Sequence, residues 1–387
     1  MEVWFRNTAV FMSSYFDFIT VYCESISLDE LMQKKIILHT LSLTTNSAYL
    51  VEFEDGDNPY NTRKYPLLQL AQKNYTKYVY IVPLDDFMNY CDSFDFASRH
   101  VVYLSHSAWC GSTLWSQIFN ALPGWGVVCE NMFLEHLLTN ERPFGNAVEF
   151  SQSEQFSKMA VLGFKFHISR LRENQSVLFK MTNQDVHLQI PVYRYFKNMT
   201  VLHAYRNALP SAKSWYNSLD GFDRILPMQK THERMNMPAC RSEYIVKEFF
   251  DLYTQSYPEW TAFVDKMKPR NLFEWFLLLW CSFNHGVRLA EEEGIKVKYV
   301  KYEDFQENKE TCIRKVFNYL GVDPSFVPLA MDATKADSQT GTVIAHEERK
   351  QNRHWIRTEE SVNRCNQILE FMRFPDLDAD FVFENTL

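Results

Sequence analysis

From Val101 onward, short runs rich in β-branched residues alternate with stretches of helical periodicity. The runs are VVYLS, GVVCE, SVLFK, TVLHAY and KVKYVKY, and helical patterns such as STLWSQIFNAL and LPSAKSWYNSL follow them. Alternation of this kind predicts a parallel sheet that is covered by helices on both faces. The predicted fold class is therefore α/β, with three layers and a central parallel sheet flanked by helices. Ligands of such sheets bind at the carboxyl ends of the strands.

The first of these strands leads through a turn of small residues into a helix, in the stretch VVYLSHSAWCGSTLWSQIF. This order is the layout of a phosphate-binding loop, so the fold is predicted to be of the P-loop type. A nucleoside triphosphate loop needs a lysine that the stretch 107–113 lacks. Gly111, Ser112 and Thr113 offer N–H groups and hydroxyls at a helix N-terminus, which suits another anion. The alternative is a serine-rich helix cap that binds nothing.

A second candidate element follows the strand TVLHAY. Arg206 leaves this strand, and Ser214 comes eight residues later on the following helix. A guanidinium and a hydroxyl at this spacing can hold one phosphate from two sides. Taken singly, an arginine at a strand end is usually a surface ion pair and a helical serine is usually solvated, so the inference depends on their combination.

These elements, together with VKYEDF at 300–305 and the helix ending in YLGV, resemble the sulfotransferase family over roughly residues 100 to 322. In that family the loop after the first strand holds the 5′-phosphosulfate of 3′-phosphoadenosine 5′-phosphosulfate (PAPS). An arginine and a serine eight residues apart hold its 3′-phosphate. The resemblance implies PAPS as cofactor, adenosine 3′,5′-bisphosphate (PAP) as product and no metal. It implies that the cofactor-binding residues include Cys110, Gly111, Ser112, Thr113, Arg206 and Ser214.

The chain departs from the well-known cytosolic members at two positions. Trp109 stands where they have a loop lysine, and Thr182 stands where they place a catalytic histidine. A neutral threonine cannot accept the acceptor's proton. Other branches of the family use a glutamate after the second strand, which corresponds to Glu130 here, either as general base or as a helix-capping charge. Glu135 and His136 are weaker candidates for the base.

Three further basic residues complete the predicted site. Lys180 ends the strand SVLFK and matches a lysine that the family keeps near the transferring sulfuryl group. His106 precedes the loop and is predicted either to donate to the phosphosulfate or to be a hydrogen-bonded packing residue. The family usually closes over the 3′-phosphate with an Arg-Lys-Gly loop, and this chain instead has KADSQTGT, in which Lys335 and Gly341 are candidates. A solvent-exposed turn would have the same sequence.

Composition narrows the classes of partner. The formal net charge of −8 gives no general basic field, so nucleic-acid binding is not expected. A small-molecule acceptor is expected instead. The eight cysteines form no CxxC pair, which indicates a reducing, cytoplasmic location. No apolar stretch is long enough for a membrane span, so we expect no membrane partner.

The predicted organisation has an N-terminal extension or subdomain at 1–96 and a sulfotransferase domain at 97–387. A helical insertion is predicted at about 220–270, followed by a long buried helix at 271–293. The predicted function is transfer of the sulfuryl group of PAPS to a hydroxyl or nitrogen of a small molecule, such as a natural product. The alternatives are a P-loop kinase-like phosphotransferase, which the missing lysine disfavours, and a non-catalytic nucleotide-binding protein, which the departures at Trp109 and Thr182 favour.

Overall fold

The structure is a computed structural model, and it describes most of the chain. The described residues are 2–5, 18–54, 56–131, 133–134, 137, 153–182, 189–225, 264, 266–340, 342, 345 and 355–387. Glu135, His136, Gly341 and most of the predicted insertion at 220–270 lie outside them.

Ten strands and twelve α-helices lie within these residues. The strands are β1 (Glu2–Phe5), β2 (Phe18–Val21), β3 (Ile36–Ser42), β4 (Ser47–Phe53), β5 (Thr76–Pro83), β6 (Val101–His106), β7 (Trp125–Cys129), β8 (Ser176–Lys180), β9 (Met199–Tyr205) and β10 (Val297–Lys301). The helices are α1 (Leu28–Met32), α2 (Leu68–Tyr75), α3 (Leu84–Asp92), α4 (Ser112–Asn120), α5 (Glu154–Ser169), α6 (Gln189–Tyr195), α7 (Ala208–Ile225), α8 (Leu272–Glu292), α9 (Tyr302–Glu307), α10 (Lys309–Leu320), α11 (Val327–Ala333) and α12 (Glu359–Phe371).

The central sheet has five strands in the order β10-β9-β6-β8-β7. β8 pairs in parallel with both β6 and β7, and β10 pairs in parallel with β9. All six residues of β6 are buried, as are four of the five in β7 and in β8. Strands of a parallel sheet are buried on both faces because helices cover the sheet on both sides. The predicted α/β fold, with a central parallel sheet flanked by helices, is confirmed.

A smaller antiparallel sheet lies in the N-terminal part, in the order β3-β4-β5. β3 is buried at all seven positions and pairs with β4 across a tight connection in which Asn46 is left-handed, with φ +50°. Asparagine tolerates this conformation better than other residues with a side chain. This sheet lies within the stretch 1–96, for which the sequence predicted an extension or subdomain.

The chain divides into two compact units, each made of two separate stretches of sequence. Unit 1 comprises Met1–Leu104 and Trp115–Thr200, and unit 2 comprises Ser105–Leu114 and Val201–Leu387. The boundary at residue 96 therefore stays a prediction.

In unit 2, helix α8 is the long buried helix predicted at 271–293. Asn271 caps it, because its side-chain oxygen accepts from the Glu274 N–H at 3.1 Å. Most of its residues are buried, including Trp280 and Cys281. Among the described residues, no helix is both long and apolar enough to cross a membrane.

Candidate functional site

The loop between β6 and α4 has an unusual backbone. Ala108 and Trp109 have φ values of +63° and +52°, and Gly111 has +76°. The left-handed conformation costs an ordinary L-residue about 1–2 kcal/mol, so two such residues in one loop must be held by their surroundings. Gly111 also lies against the ring of Tyr302, since a Cβ added at this glycine would be 2.9 Å from two ring carbons. No other residue fits at Gly111 without strain.

Hydrogen bonds from the loop to the neighbouring strand and helix hold this backbone in place. The Ser107 N–H donates to the Ala204 carbonyl at 2.9 Å, and the Cys110 thiol donates to the same carbonyl at 3.1 Å. The Ser211 hydroxyl donates to the Ala108 carbonyl at 3.2 Å. The Cys110 side chain thus fixes the loop, and its role in anion binding stays a prediction.

Helix α4 begins at Ser112, directly after this loop. Its first turn contains no acidic residue, so nothing there opposes an anion at the positive end of the helix. Ser112 and Thr113 are both buried, with exposed fractions of 5% and 6%. The three predicted residues Gly111, Ser112 and Thr113 therefore lie together at a partly enclosed helix N-terminus, as the sequence predicted.

Arg206 and Ser214 are in direct contact. The Arg206 Nη1 donates to the Ser214 hydroxyl at 3.0 Å and to the Trp109 carbonyl at 3.3 Å. The second contact ties the guanidinium to the loop itself. The pair that the sequence indicated and the loop thus form one cluster within unit 2.

Tyr302 and Glu303, the first residues of α9, complete the surroundings of this guanidinium. The Arg206 guanidinium lies 4.7 Å from the centroid of the Tyr302 ring, which is within cation–π distance. Its Nε lies 3.8 Å from the Glu303 carboxylate. One side of the guanidinium is therefore neutralised by a carboxylate, while the side at Nη1 contacts a hydroxyl and the loop.

Three buried polar atoms of this cluster have no hydrogen-bond partner among the described residues. They are the Ser107 hydroxyl, the Arg206 Nε and the Glu303 Oε2. The 3.8 Å approach of Arg206 to Glu303 is an ion pair but is too long for a hydrogen bond. Unsatisfied buried donors are costly, so they indicate that the cluster is completed by a further group. Of the three atoms, the Ser107 hydroxyl is the donor in the loop beside the N-terminus of α4, while the Arg206 Nε faces the Glu303 carboxylate.

His106 is the last residue of β6 and is buried. Its Nδ1 accepts a hydrogen bond from the Ala108 N–H at 3.2 Å. A neutral ring that accepts at Nδ1 carries its proton on Nε2. His106 therefore braces the loop through Nδ1, and its role as a donor to the phosphosulfate stays a prediction.

His203 on β9 forms a second buried polar network in unit 2. Its Nδ1 lies 2.9 Å from the Ser105 hydroxyl and its Nε2 lies 3.2 Å from the Asn284 side-chain oxygen. Burial lowers the pKa of His203 to about 3, so the ring is neutral at physiological pH. Since Asn284 presents an acceptor, the proton lies on Nε2, and Ser105 donates to Nδ1. This network joins β6, β9 and α8 without reaching solvent.

Glu130 and Lys180 form a separate cluster in unit 1. The Lys180 ammonium, whose side chain is 1% exposed, pairs with the Glu130 carboxylate, which is 13% exposed. Glu130 is left-handed, with φ +53°, and its N–H donates to the Lys180 carbonyl at 2.7 Å. Its own carbonyl accepts from the Gln69 N–H at 3.2 Å. The two predicted catalytic residues are thus held together, with Lys180 at the end of β8 and Glu130 directly after the neighbouring β7.

The structure adds little to the predicted roles of the remaining residues. Lys335 is on the surface, with 77% of its side chain exposed, and pairs with Asp332 at 3.0 Å. Its role in phosphate binding stays a prediction, since its partner Gly341 lies outside the described residues. Trp109 is half-buried, with its ring 6.4 Å from that of Trp215, and Thr182 is buried. Glu135 and His136 lie outside the described residues.

The sequence analysis missed the contact of Asn207 with Asp380, which lies next to the Arg206 cluster. Asn207 follows Arg206, and its side chain donates to the Asp380 carboxylate at 3.0 Å. Nothing in the sequence near Asp380 indicates this contact.

The described residues include no group of three or more histidines, cysteines or carboxylates that could hold a metal ion.

Comparison with known proteins gives a likeness in structure only. No protein-family model matches the sequence, and no curated protein is significantly similar to it. A sulfotransferase from Alicyclobacillus acidocaldarius is 12% identical with a TM-score of 0.37, covering 71% of this chain and 94% of that one. A mouse sulfotransferase in complex with PAP is 12% identical with a TM-score of 0.40, covering 76% and 91%. A Mycobacterium avium sulfotransferase is 10% identical with a TM-score of 0.40, covering 78% and 86%. Likenesses at these values do not identify a family, so the chain's own side chains must support any functional proposal.

Proposed function

We propose that this chain is a sulfotransferase that uses PAPS and transfers its sulfuryl group to a hydroxyl or nitrogen of a small molecule. The observation that carries the proposal is the Arg206–Ser214 contact at 3.0 Å beside the left-handed loop. A guanidinium and a hydroxyl so arranged suit a phosphate monoester, and the N-terminus of α4 suits a second phosphate. Two phosphate positions without a P-loop lysine favour a nucleotide with separate 3′- and 5′-phosphates.

The residues of unit 2 would hold the nucleotide. Arg206 and Ser214 bind the 3′-phosphate, and the N–H groups of 111–113 with the adjacent hydroxyls bind the 5′-phosphosulfate. When bound, PAPS supplies a sulfuryl group on a phosphate leaving group. The His106 Nε2 proton and the helix N-terminus lower the cost of negative charge on that leaving group.

The residues of unit 1 would serve the acceptor and the transferring group. Lys180 places a positive charge for the sulfuryl oxygens, and Glu130 accepts the proton that the acceptor loses on attack. Thr182 cannot take that role because a neutral hydroxyl is not a base at physiological pH. The acceptor is proposed to be a small molecule, in a cytoplasmic setting and without a metal, a nucleic acid or a membrane as partner.

Nucleotide binding tests this proposal directly. PAP should bind with a stabilisation of the folded chain, because a ligand that binds only the native state raises the melting temperature. Arg206→Ala should weaken PAP binding by about 10- to 100-fold, since it removes a charged hydrogen-bond donor. Adenosine 5′-monophosphate should bind weakly to both proteins, because it has no 3′-phosphate for Arg206 to contact.

The control variant is Arg314→Ala, since Arg314 lies on the surface and pairs with the exposed Glu310 of its own helix at 2.7 Å. Equal affinity of the wild type for PAP and for adenosine 5′-monophosphate would refute the 3′-phosphate site. Transfer of labelled sulfate from PAPS to any member of a mixture of alcohols and amines separates the enzyme from a non-catalytic nucleotide-binding protein.

A further inference from the structure

The segment 372–387 packs along β9 and β10 within unit 2. The Tyr299 N–H donates to the Asn385 carbonyl at 3.3 Å, and the Leu387 N–H donates to the Tyr299 carbonyl at 3.0 Å. These bonds make a parallel bridge at the edge of β10. The ring of Phe383 stacks on that of Tyr299 with centroids 4.0 Å apart. The segment is therefore an ordered part of the fold beside the last two strands of the sheet.

This segment also forms hydrogen bonds with Asn207, the residue after Arg206. The Asn207 Nδ2 donates to the Asp380 carboxylate at 3.0 Å, and the Phe381 N–H donates to the Asn207 Oδ1 at 3.0 Å. The backbone N–H of Asn207 donates to the Glu303 carboxylate at 3.2 Å. Both ends of the side-chain amide and the backbone N–H are thus engaged, which fixes Asn207 in one orientation.

A buried cation anchors Asp380 at this position. Lys301, the last residue of β10, is 2% exposed and pairs with Asp380, which is 73% exposed. The hydrogen bonds from Lys301 and then Asn207 lower the pKa of Asp380, so it is a carboxylate at physiological pH. Because a buried ammonium needs a counter-ion, the pair holds the segment against the end of the strand.

We infer that Asn207 and Asp380 are positioning residues that hold Arg206 ready for the 3′-phosphate. Glu303 contacts Arg206 at Nε and Asn207 at its N–H, so it couples the two residues. On the other side, the Trp280 Nε1 donates to the Arg206 carbonyl at 2.8 Å. The orientation of the guanidinium thus depends on contacts that begin in the segment 372–387. This inference rests on the proposed function and adds the segment 372–387 to the parts of the chain that position Arg206.

The test compares PAP affinity among variants of the two positioning residues. Asn207→Leu keeps the size of the side chain but loses both bonds to the segment, and Asp380→Ala removes the carboxylate. Each should weaken PAP binding by about 5- to 30-fold, which is typical of coupled neighbours rather than of direct contacts. Asp380→Asn keeps an acceptor for Asn207 and should lose less affinity than Asp380→Ala.

Asp378→Ala is the matched control. Asp378 lies two residues away in the same segment, and its carboxylate accepts from Arg357 at 2.7 Å instead of from Asn207. This variant should bind PAP as the wild type does. A loss with Asp378→Ala equal to that with Asp380→Ala would indicate general destabilisation of the segment and would overturn the positioning role of Asp380.

Hydrogen exchange provides a readout on the unmodified chain. If docking of the segment raises PAP affinity, PAP must stabilise docking by the same factor, because coupling between sites is reciprocal. The amides of Phe381 and Leu387 should then be slowed by PAP to a greater extent than the amides of α10, which report only the stabilisation of the whole fold by the ligand. Unchanged exchange at Phe381 in PAP-saturated protein would overturn the inference, even if a variant failed to fold.

The outcomes separate the two proposals. A wild type that does not bind PAP refutes the proposed function and this inference with it. A wild type that binds PAP and loses affinity with Arg206→Ala, but not with Asn207→Leu or Asp380→Ala, refutes only the inference.

Discussion

Substitution of Gly111 by alanine tests the loop geometry on which the nucleotide site depends. Gly111 has φ +76°, where a Cβ costs about 1–2 kcal/mol. Its Cβ would also lie 2.9 Å from two carbons of the Tyr302 ring, so the ring or the loop must shift. Forcing extra volume into packed surroundings costs about 1–3 kcal/mol. We therefore expect Gly111→Ala to lower the free energy of unfolding by about 2–5 kcal/mol, as the sum of these two effects.

Two comparisons separate the two effects. Gly321, at the end of α10, has φ +67° and no atom within 4 Å of an added Cβ, so Gly321→Ala should cost only the conformational part, about 1–2 kcal/mol. In a Tyr302→Ala background the ring is absent, and Gly111→Ala should then also cost about 1–2 kcal/mol. Urea unfolding of the four proteins of this cycle gives the coupling energy.

The contact between Gly111 and Tyr302 also links Gly111→Ala to PAP binding. Because the same ring lies 4.7 Å from the Arg206 guanidinium, its displacement should also weaken PAP binding. An equal cost of Gly111→Ala with and without Tyr302 would refute the close packing of loop and ring. A cost no greater than that of Gly321→Ala would refute it as well.

Two further predictions concern the buried ionisable groups. Glu130→Gln should lower single-turnover sulfate transfer by about 10²- to 10⁴-fold at saturating PAPS while PAP affinity is kept, and a wild-type rate would exclude Glu130 as base. His203, with its pKa lowered to about 3 by burial, contributes stability that is complete above the unfolded pKa and is lost as the pH falls below it. Urea unfolding should therefore show a loss of about 1.4 kcal/mol from this residue between pH 7.5 and 5.5, and an NMR titration of His203 near 6.5 in the folded protein would contradict this.

The order of strands and helices was predictable because it depends on local patterns. Runs such as VVYLS and SVLFK have apolar residues at successive positions in their centres, and in the structure these residues are buried on both faces of the sheet. The contact between Arg206 and Ser214 was also predictable, since it joins a strand end to the helix that follows it.

The loop conformation could not be predicted in the same way. Ala108 and Trp109 are left-handed, yet neither is a residue type that favours this conformation. The bonds from Ser107, Cys110 and Ser211 that hold them come from the tertiary fold. Asp380 was unpredictable for a related reason, because its partner Asn207 lies far away in the sequence and neither residue belongs to a recognisable motif.

The ion pair of Glu130 and Lys180 changes what the general-base hypothesis requires. Each residue was predicted separately as a strand-end side chain, but Cys129 and Lys180 are in register on β7 and β8, which brings the carboxylate to the ammonium. Removing one charge of a buried pair leaves the other poorly compensated, so Glu130→Gln alone affects both proton transfer and local stability. The double variant Glu130→Gln with Lys180→Met removes both charges together. The double variant should recover the stability that Glu130→Gln loses, because no uncompensated charge remains. Recovery of stability without recovery of turnover would show that the loss of turnover in Glu130→Gln is not caused by local unfolding.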